Sequence, residues 1–227
     1  MQPHDRLVVA VDLSARDEIL RLVDTLHGSV GVFKIGLQAF VANGPEIVRD
    51  VVARGERVFL DLKIHDIPNT ARHAVAEAAF LGASIATVHI AGGESMLRAC
   101  NHHTLLVLGV TVLTSLTETD LVQIGFGGTA VDNAVRLARL AQGSGLRGVV
   151  ASPLEIERIR EACGKDFVIL TPGIRPKGSD VGDQQRVMTP GEAVRAGADY
   201  IVVGRPITGA ADPRSAARRV VEEMSAI

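Results

Sequence analysis

Eight short apolar runs punctuate the chain, at positions 7–12, 30–35, 57–63, 84–89, 105–113, 148–151, 167–171 and 199–203. Most are nearly unbroken stretches of Val, Ile, Leu and Ala, the pattern of parallel strands covered on both faces. Between them, polar and apolar residues alternate at helical spacing over 15–26, 45–54, 69–81, 130–142, 154–162 and 213–224. Ser14 is placed to cap the first of these helices, Pro45 and Pro153 suit a first helical turn, and Pro68 sits where a helix is about to begin. Gly28, Gly55, Gly82, Gly145, Gly164 and Gly197 each follow a helical stretch just ahead of a strand, where a glycine can take the left-handed conformation that ends a helix. Eight strand–helix units in 227 residues predict one (β/α)8 TIM barrel, a single α/β domain spanning 1–227. The alternative, a doubly wound open sheet, usually carries GxGxxG or GxxxxGK(S/T) after an early strand, and neither pattern occurs. No linker, charge run or low-complexity tract marks a second domain.

Composition narrows the partners. Apolar residues make up 47% and charged residues 22%, an ordinary globular balance. With 24 Lys and Arg against 26 Asp and Glu, the formal charge of −2 argues against a nucleic-acid binder. Aromatics at 3%, with no Trp, leave little for stacking platforms. Cys100 and Cys163 have no CxxC spacing and read as two reduced thiols. The N-terminal MQPHDRLVVAVD reaches a charge after five apolar residues, too short for a signal-peptide core. No stretch approaches the roughly 18 apolar residues of a membrane span. A soluble, cytoplasmic protein is expected.

In a barrel the chemistry gathers at the C-terminal ends of the strands. Those ends carry Asp12, Lys34, Asp61 with Lys63, His89, Thr111 with Thr114 and Ser115, Ser152, Thr171, and Gly204-Arg205. One polar residue at a strand end is usually just solvated; their concentration is what points to a site. Within FLDLKIHDIPNT, residues 59–70, strand alternation puts Asp61 and Lys63 on one face and Leu60 and Leu62 on the other. Two opposite charges directed into the barrel mouth need further partners, which Asp66 and Lys34 could supply. An ion pair that merely plugs the barrel is the bland alternative. The segment TPGIRPKGSDVGDQQRVMTP, 171–190, is long, rich in Gly and Pro, and carries Arg175, Lys177, Gln184 and Arg186. With Gly204, which lets backbone approach a ligand, and the planar donor fork of Arg205, it suggests an anion site beneath a mobile loop. Its bland counterpart is a surface loop with incidental arginines.

These segments, taken in order, resemble the orotidine 5′-monophosphate (OMP) decarboxylase family along essentially the whole chain. The resemblance is carried by LVVAVD, VFKIGLQAF around Lys34, the DxKxxD motif as Asp61, Lys63 and Asp66 in its longer bacterial form ending IPNT, VTVLTS, TPGIRP, GDQQRVMTP and YIVVGRPIT. DxKxxD alone is shared with related phosphosugar decarboxylases and aldolase-like synthases. The resemblance implies conversion of OMP to UMP in de novo pyrimidine biosynthesis, with no cofactor and no metal, by a cytoplasmic homodimer. It implies that Lys63 protonates C6 of the pyrimidine, that Asp61 lies against the substrate carboxylate, and that Lys34 and Asp66 complete the charged array. Asp66 and Thr70 would reach across the dimer interface into the partner's site. Asp12 and Lys34 would hold the ribose, Thr114 with Ser115 would contact the pyrimidine, Arg175, Gln184, Gly204 and Arg205 would hold or surround the phosphate, and Pro172 would be a further substrate contact.

Three other readings compete with that one. A barrel with the same array could act on a phosphosugar with Mg²⁺ holding an enediolate, with His65 and His89 offered as ligands. Lys63 could form an imine, although a lysine between carboxylates is poorly suited to act as a free amine. The chain could also bind a nucleotide without turning it over. For the dimer itself, the Ala-rich stretch AVAEAAFLG, residues 74–82, in the helix that follows IPNT offers a face suited to close packing.

Overall fold

The computed structural model describes residues 2–177 and 187–226. Eight parallel strands close into a barrel in chain order: β1 Leu7–Ala10, β2 Val32–Gly36, β3 Val58–Ile64, β4 Ile85–His89, β5 Leu106–Val110, β6 Gly148–Val150, β7 Val168–Thr171 and β8 Tyr200–Val203. Around them, among the described residues, lie α1 Arg16–Leu26, α2 Leu37–Asn43, α3 Glu46–Ala53, α4 Pro68–Phe80, α5 Gly93–Ala99, α6 Glu118–Gln123, α7 Ala130–Gly143, α8 Ile156–Cys163, α9 Pro190–Ala196, α10 Arg205–Thr208 and α11 Pro213–Ser225. No helix among the described residues is long and apolar enough to cross a membrane.

Each strand is buried on both faces, which is why its sequence shows no alternation. Val8, Val32, Phe59, Ile85, Leu108, Leu170 and Val202 turn inward and fill the barrel. Their neighbours, including Val9, Phe33, Leu60, Ala86, Val107, Ile169 and Val203, turn outward under the helices. The two-residue period of a strand then determines what lies one layer higher. Above Val32 comes Lys34, above Phe59 comes Asp61, and above Ile85 comes Thr87. The apolar layer is thus a floor for polar groups at the C-terminal mouth.

Five short helices escaped the periodicity: α2, α5, α6, α9 and α10, of four to seven residues each. Two turns or fewer are too few for a helical repeat to show in a sequence. Ser14 does not cap α1. Its N-cap is Ala15, with no side-chain cap bond, and the Ser14 hydroxyl instead accepts from Gln38 Nε2 at 3.0 Å. The fifth strand stops at Val110 rather than running to 113, and the Thr111 hydroxyl is taken up by the Val150 carbonyl at 3.0 Å. The six helix-closing glycines all have positive φ.

The N-terminal ends of β7 and β8 are tied together by one guanidinium. Arg160 Nη1 donates to the carbonyls of Gly164, Lys165 and Phe167, while Nη2 donates to the Gly197 carbonyl and to Asp199 Oδ2 at 2.8 Å. Arg160→Ala leaves several of these acceptors unpaired. It is expected to lower unfolding stability by about 2–4 kcal/mol in urea titrations, with the mouth of the barrel unaltered.

Candidate active site

The third strand departs from regular geometry where its charges lie. Leu60 pairs with Ala86 and Ile64 with Val88, so three residues of β3 (Asp61, Leu62 and Lys63) face the single residue Thr87 of β4. Within this bulge Lys63 takes φ +52°, the one positive φ outside glycine among the described residues. A non-glycine residue in that region costs about 1–2 kcal/mol, and such strain persists only where surroundings hold it. Here they do: the Lys63 N–H, displaced from the ladder, donates to Thr87 Oγ1 at 3.0 Å. Thr87 is fully buried, and its hydroxyl donates in turn to Asp61 Oδ1 at 2.9 Å.

The side chains form a chain of alternating charge. Lys63 Nζ donates to Asp61 Oδ2 at 2.8 Å, and Lys34 Nζ approaches the same oxygen at 3.8 Å and Asp12 Oδ1 at 3.1 Å. Asp61 and Lys34 are nearly buried, with side chains 11% and 12% exposed, while Lys63 at 30% still reaches the opening. Two carboxylates and two ammonium groups balance one another, which makes their partial burial tolerable.

This array forms one wall of a cavity whose floor is Phe59, Leu170 and Val202, and whose other walls include Val110, Val112, Thr114, Val150 and Pro172. Lys34, Pro172 and Val202 also line an adjoining cavity with Asp12, Gln38, Gly173, Arg175, Gly204 and Arg205. Sharing these three residues, the two form one groove: an apolar-floored part with a cation and a carboxylate at its side, then an end with two guanidinium groups. That arrangement suits a ligand with an apolar body against the floor and an anionic group at the guanidinium end.

Of the residues singled out from the sequence, Asp12, Lys34, Asp61, Lys63, Thr114, Pro172, Arg175, Gly204 and Arg205 line this groove. Ser115 is exposed and lines neither part. Asp66 and Thr70 are exposed and do not reach the groove of their own chain. Asp66 borders a separate depression with His65, Ile67, Pro68, Ala91 and Gly92, and its Oδ1 accepts from the Ile67 N–H at 2.7 Å. Gln184 and Arg186 lie outside the described residues. Sequence reasoning missed Thr87 and Gln38. Thr87 was detectable only through the two-residue period of β4, which turns it inward with His89.

His65 and His89 sit near the array, ring centroids 5.7 Å apart and tilted by 39°. Burial, then the nearness of His65 and Lys63, pushes the His89 pKa down, so the neutral imidazole is favoured. Among the described residues no group of three or more His, Cys, Asp or Glu is disposed to hold a metal ion.

A sequence model of the "Orotidine 5'-phosphate decarboxylase / HUMPS family" matches residues 5–220. The chain belongs to this family. It is 48% identical to the orotidine 5'-phosphate decarboxylase of Moorella thermoacetica, over 100% of this chain and 95% of that protein. It is 46% identical to the orotidine 5'-phosphate decarboxylase of Syntrophotalea carbinolica, over 100% of this chain and 97% of that protein. Its fold superposes on the crystal structure of orotidine 5'-phosphate decarboxylase from Lactobacillus acidophilus with a TM-score of 0.85 and 33% identity, covering 97% of this chain and 99% of that one.

All groove residues from Asp12 to Arg205 lie inside the stretch that matches the orotidine 5'-phosphate decarboxylase / HUMPS family. The cysteines do not line that groove. Burial pushes the Cys100 thiol up to about 11, and Cys163 is raised for the same reason. Neither is therefore expected to react with a thiol-specific disulfide reagent at neutral pH until the protein is unfolded, when two equivalents should be released.

Proposed function

We propose that this chain decarboxylates orotidine 5′-monophosphate to UMP, serving pyrimidine synthesis, with Lys63 as the group that stabilises and protonates the reacting carbon. The observation that carries this reading is the linked array Asp12–Lys34–Asp61–Lys63 on the wall of an apolar-floored groove that ends in Arg175 and Arg205.

Loss of CO₂ from C6 of the pyrimidine leaves an electron pair in the ring plane, orthogonal to the π system, where conjugation cannot spread it. A cation held in place beforehand at that carbon is the remaining source of stabilisation. The Lys63 ammonium, tethered to Asp61 at 2.8 Å, is such a cation. As the C6–carboxyl bond breaks, its electron pair stays on C6, and an N–H of Lys63 supplies the proton. The lysine is left neutral and regains its proton from solvent. Asp61, set beside the departing carboxylate, repels the bound substrate more than the neutral CO₂ that leaves. Lys34 and Asp12 suit the ribose hydroxyls. Thr114 suits a polar edge of the pyrimidine. Arg175, Gly204 and Arg205, with Gln184 from outside the described residues, suit the phosphate. The test is the loss of absorbance of OMP with purified protein in excess EDTA. Turnover is expected. Turnover that requires Mg²⁺ and a phosphosugar instead would overturn it in favour of enediolate chemistry, and binding of UMP without turnover of OMP would reduce the chain to a nucleotide binder.

The working form under this reading is a homodimer in which Asp66 and Thr70 complete the partner's site. That neither lines the groove of its own chain supports it, as do exposed Phe80 on α4 and Ile67 beside it, at 80% and 66%. Lys63→Ala and Asp66→Asn homodimers are each expected to be inactive. Mixed and allowed to exchange subunits, they should recover about a quarter of the sites, because one site of each heterodimer regains both residues. No recovery, with heterodimers demonstrated by mass, would count against a shared site.

A further inference from the structure

We infer that Thr87 is the positioning residue of the charged array: its hydroxyl holds the β3 bulge open so that Lys63 and Asp61 face the same cavity. This rests on the reading of Lys63 given above.

The hydroxyl makes two bonds of opposite sense. It accepts the Lys63 N–H at 3.0 Å and donates to Asp61 Oδ1 at 2.9 Å. One oxygen therefore replaces the ladder carbonyl that Lys63 loses in the bulge and also fixes the rotamer of the carboxylate that tethers the Lys63 ammonium. Donor and acceptor duties on one fully buried atom are what a hydroxyl supplies and a methyl cannot. With Lys63 N bonded to Thr87 and Lys63 Nζ bonded to Asp61 Oδ2 at 2.8 Å, the network closes a ring that constrains backbone and side chain together. Without the hydroxyl, the bulge residue at φ +52° loses the bond that compensates its backbone. Asp61 retains Lys34 at 3.8 Å, so the fold does not depend on this link while the aim of Lys63 does. Thr87 lines neither cavity and is not a substrate contact.

Thr87→Val keeps shape and burial while deleting the hydroxyl; Thr87→Ser keeps the hydroxyl. Displacing a reacting group by a fraction of an ångström to one ångström justifies an expected fall in kcat of about 10- to 100-fold for Thr87→Val. KM for OMP should stay near wild type, while the melting temperature should fall by about 3–8 °C, because the Lys63 N–H and Asp61 Oδ1 each lose a partner and the protein remains folded at assay temperature. Thr87→Ser should hold kcat within about threefold of wild type, because the same oxygen remains. Wild-type kcat in Thr87→Val overturns the inference. So does an equal loss in Thr87→Ser, which would make the residue a packing element. So does a collapse of KM and melting temperature together with kcat. If Thr87→Val gives no folded protein, Thr87→Ala removes the same hydroxyl without crowding and carries the same expectations. A wild-type chain inert on OMP would instead strike down the activity reading. The placement is then decided by the crystal structure of Thr87→Val: an undisturbed bulge with Lys63 still on Asp61 overturns it, and a shifted Lys63 supports it.

Discussion

Lys63→Ala is expected to lower kcat/KM for OMP by about 10⁴- to 10⁷-fold, the combined scale of losing a preorganised cation and a proton donor. The variant should fold, because alanine at φ +52° is strained no more than lysine and the backbone bond to Thr87 survives. Asp61 loses its 2.8 Å partner but keeps Lys34 and the Thr87 hydroxyl, so its carboxylate is not left without compensation. Binding of UMP should persist, since the guanidinium end of the groove is untouched. Stopped assays at high enzyme concentration, with melting temperature and UMP titration alongside, separate chemistry from folding. Turnover within tenfold of wild type would contradict any mechanism that runs through this lysine.

The barrel was legible because two-sided burial leaves an unmistakable trace. Val8, Val9, Ile85 and Ala86 are apolar whichever way they face, so the strands read as continuous runs. The charged wall was partly legible for a related reason: Asp61 and Lys63 interrupt such a run at a spacing that turns both to one side. What alternation could not show is that the strand bulges between them and that Lys63 sits at positive φ, because a bulge is set by how two strands meet. Thr87 was invisible as a partner for the same cause. A lone threonine in a strand is indistinguishable from a β-branched space-filler until its neighbour is known. Asp66 posed the converse difficulty, for it lies three residues beyond Lys63 in the chain and yet turns away from the groove. Where the chain leaves a strand end, tertiary packing decides direction, and spacing carries no information about it.

The guanidinium end provides the second large effect, and it separates binding from chemistry. Arg205 and Arg175 line the part of the groove that Lys63 does not, and Lys34 lines both. Contacts to a phosphate held there are remote from the carbon that reacts, so their energy contributes to rate only by fixing the substrate in place. A bidentate, charge-assisted pair is worth a few kcal/mol, and Arg205→Ala is accordingly expected to lower kcat/KM for OMP by about 10²- to 10³-fold. Orotidine, which has the same ring and ribose but no phosphate, should be a far poorer substrate for the wild-type protein. On that nucleoside, however, Arg205→Ala and wild type should agree within about threefold, because the deleted contact was never made. Parallel steady-state measurements on both compounds therefore locate the residue's action. A loss of equal size on orotidine would mean that Arg205 supports the ring site or the fold. A loss confined to OMP would mean that Arg205 acts through the phosphate, and a fall in kcat as well as a rise in KM would mean that this contact also helps to set the reacting carbon in place.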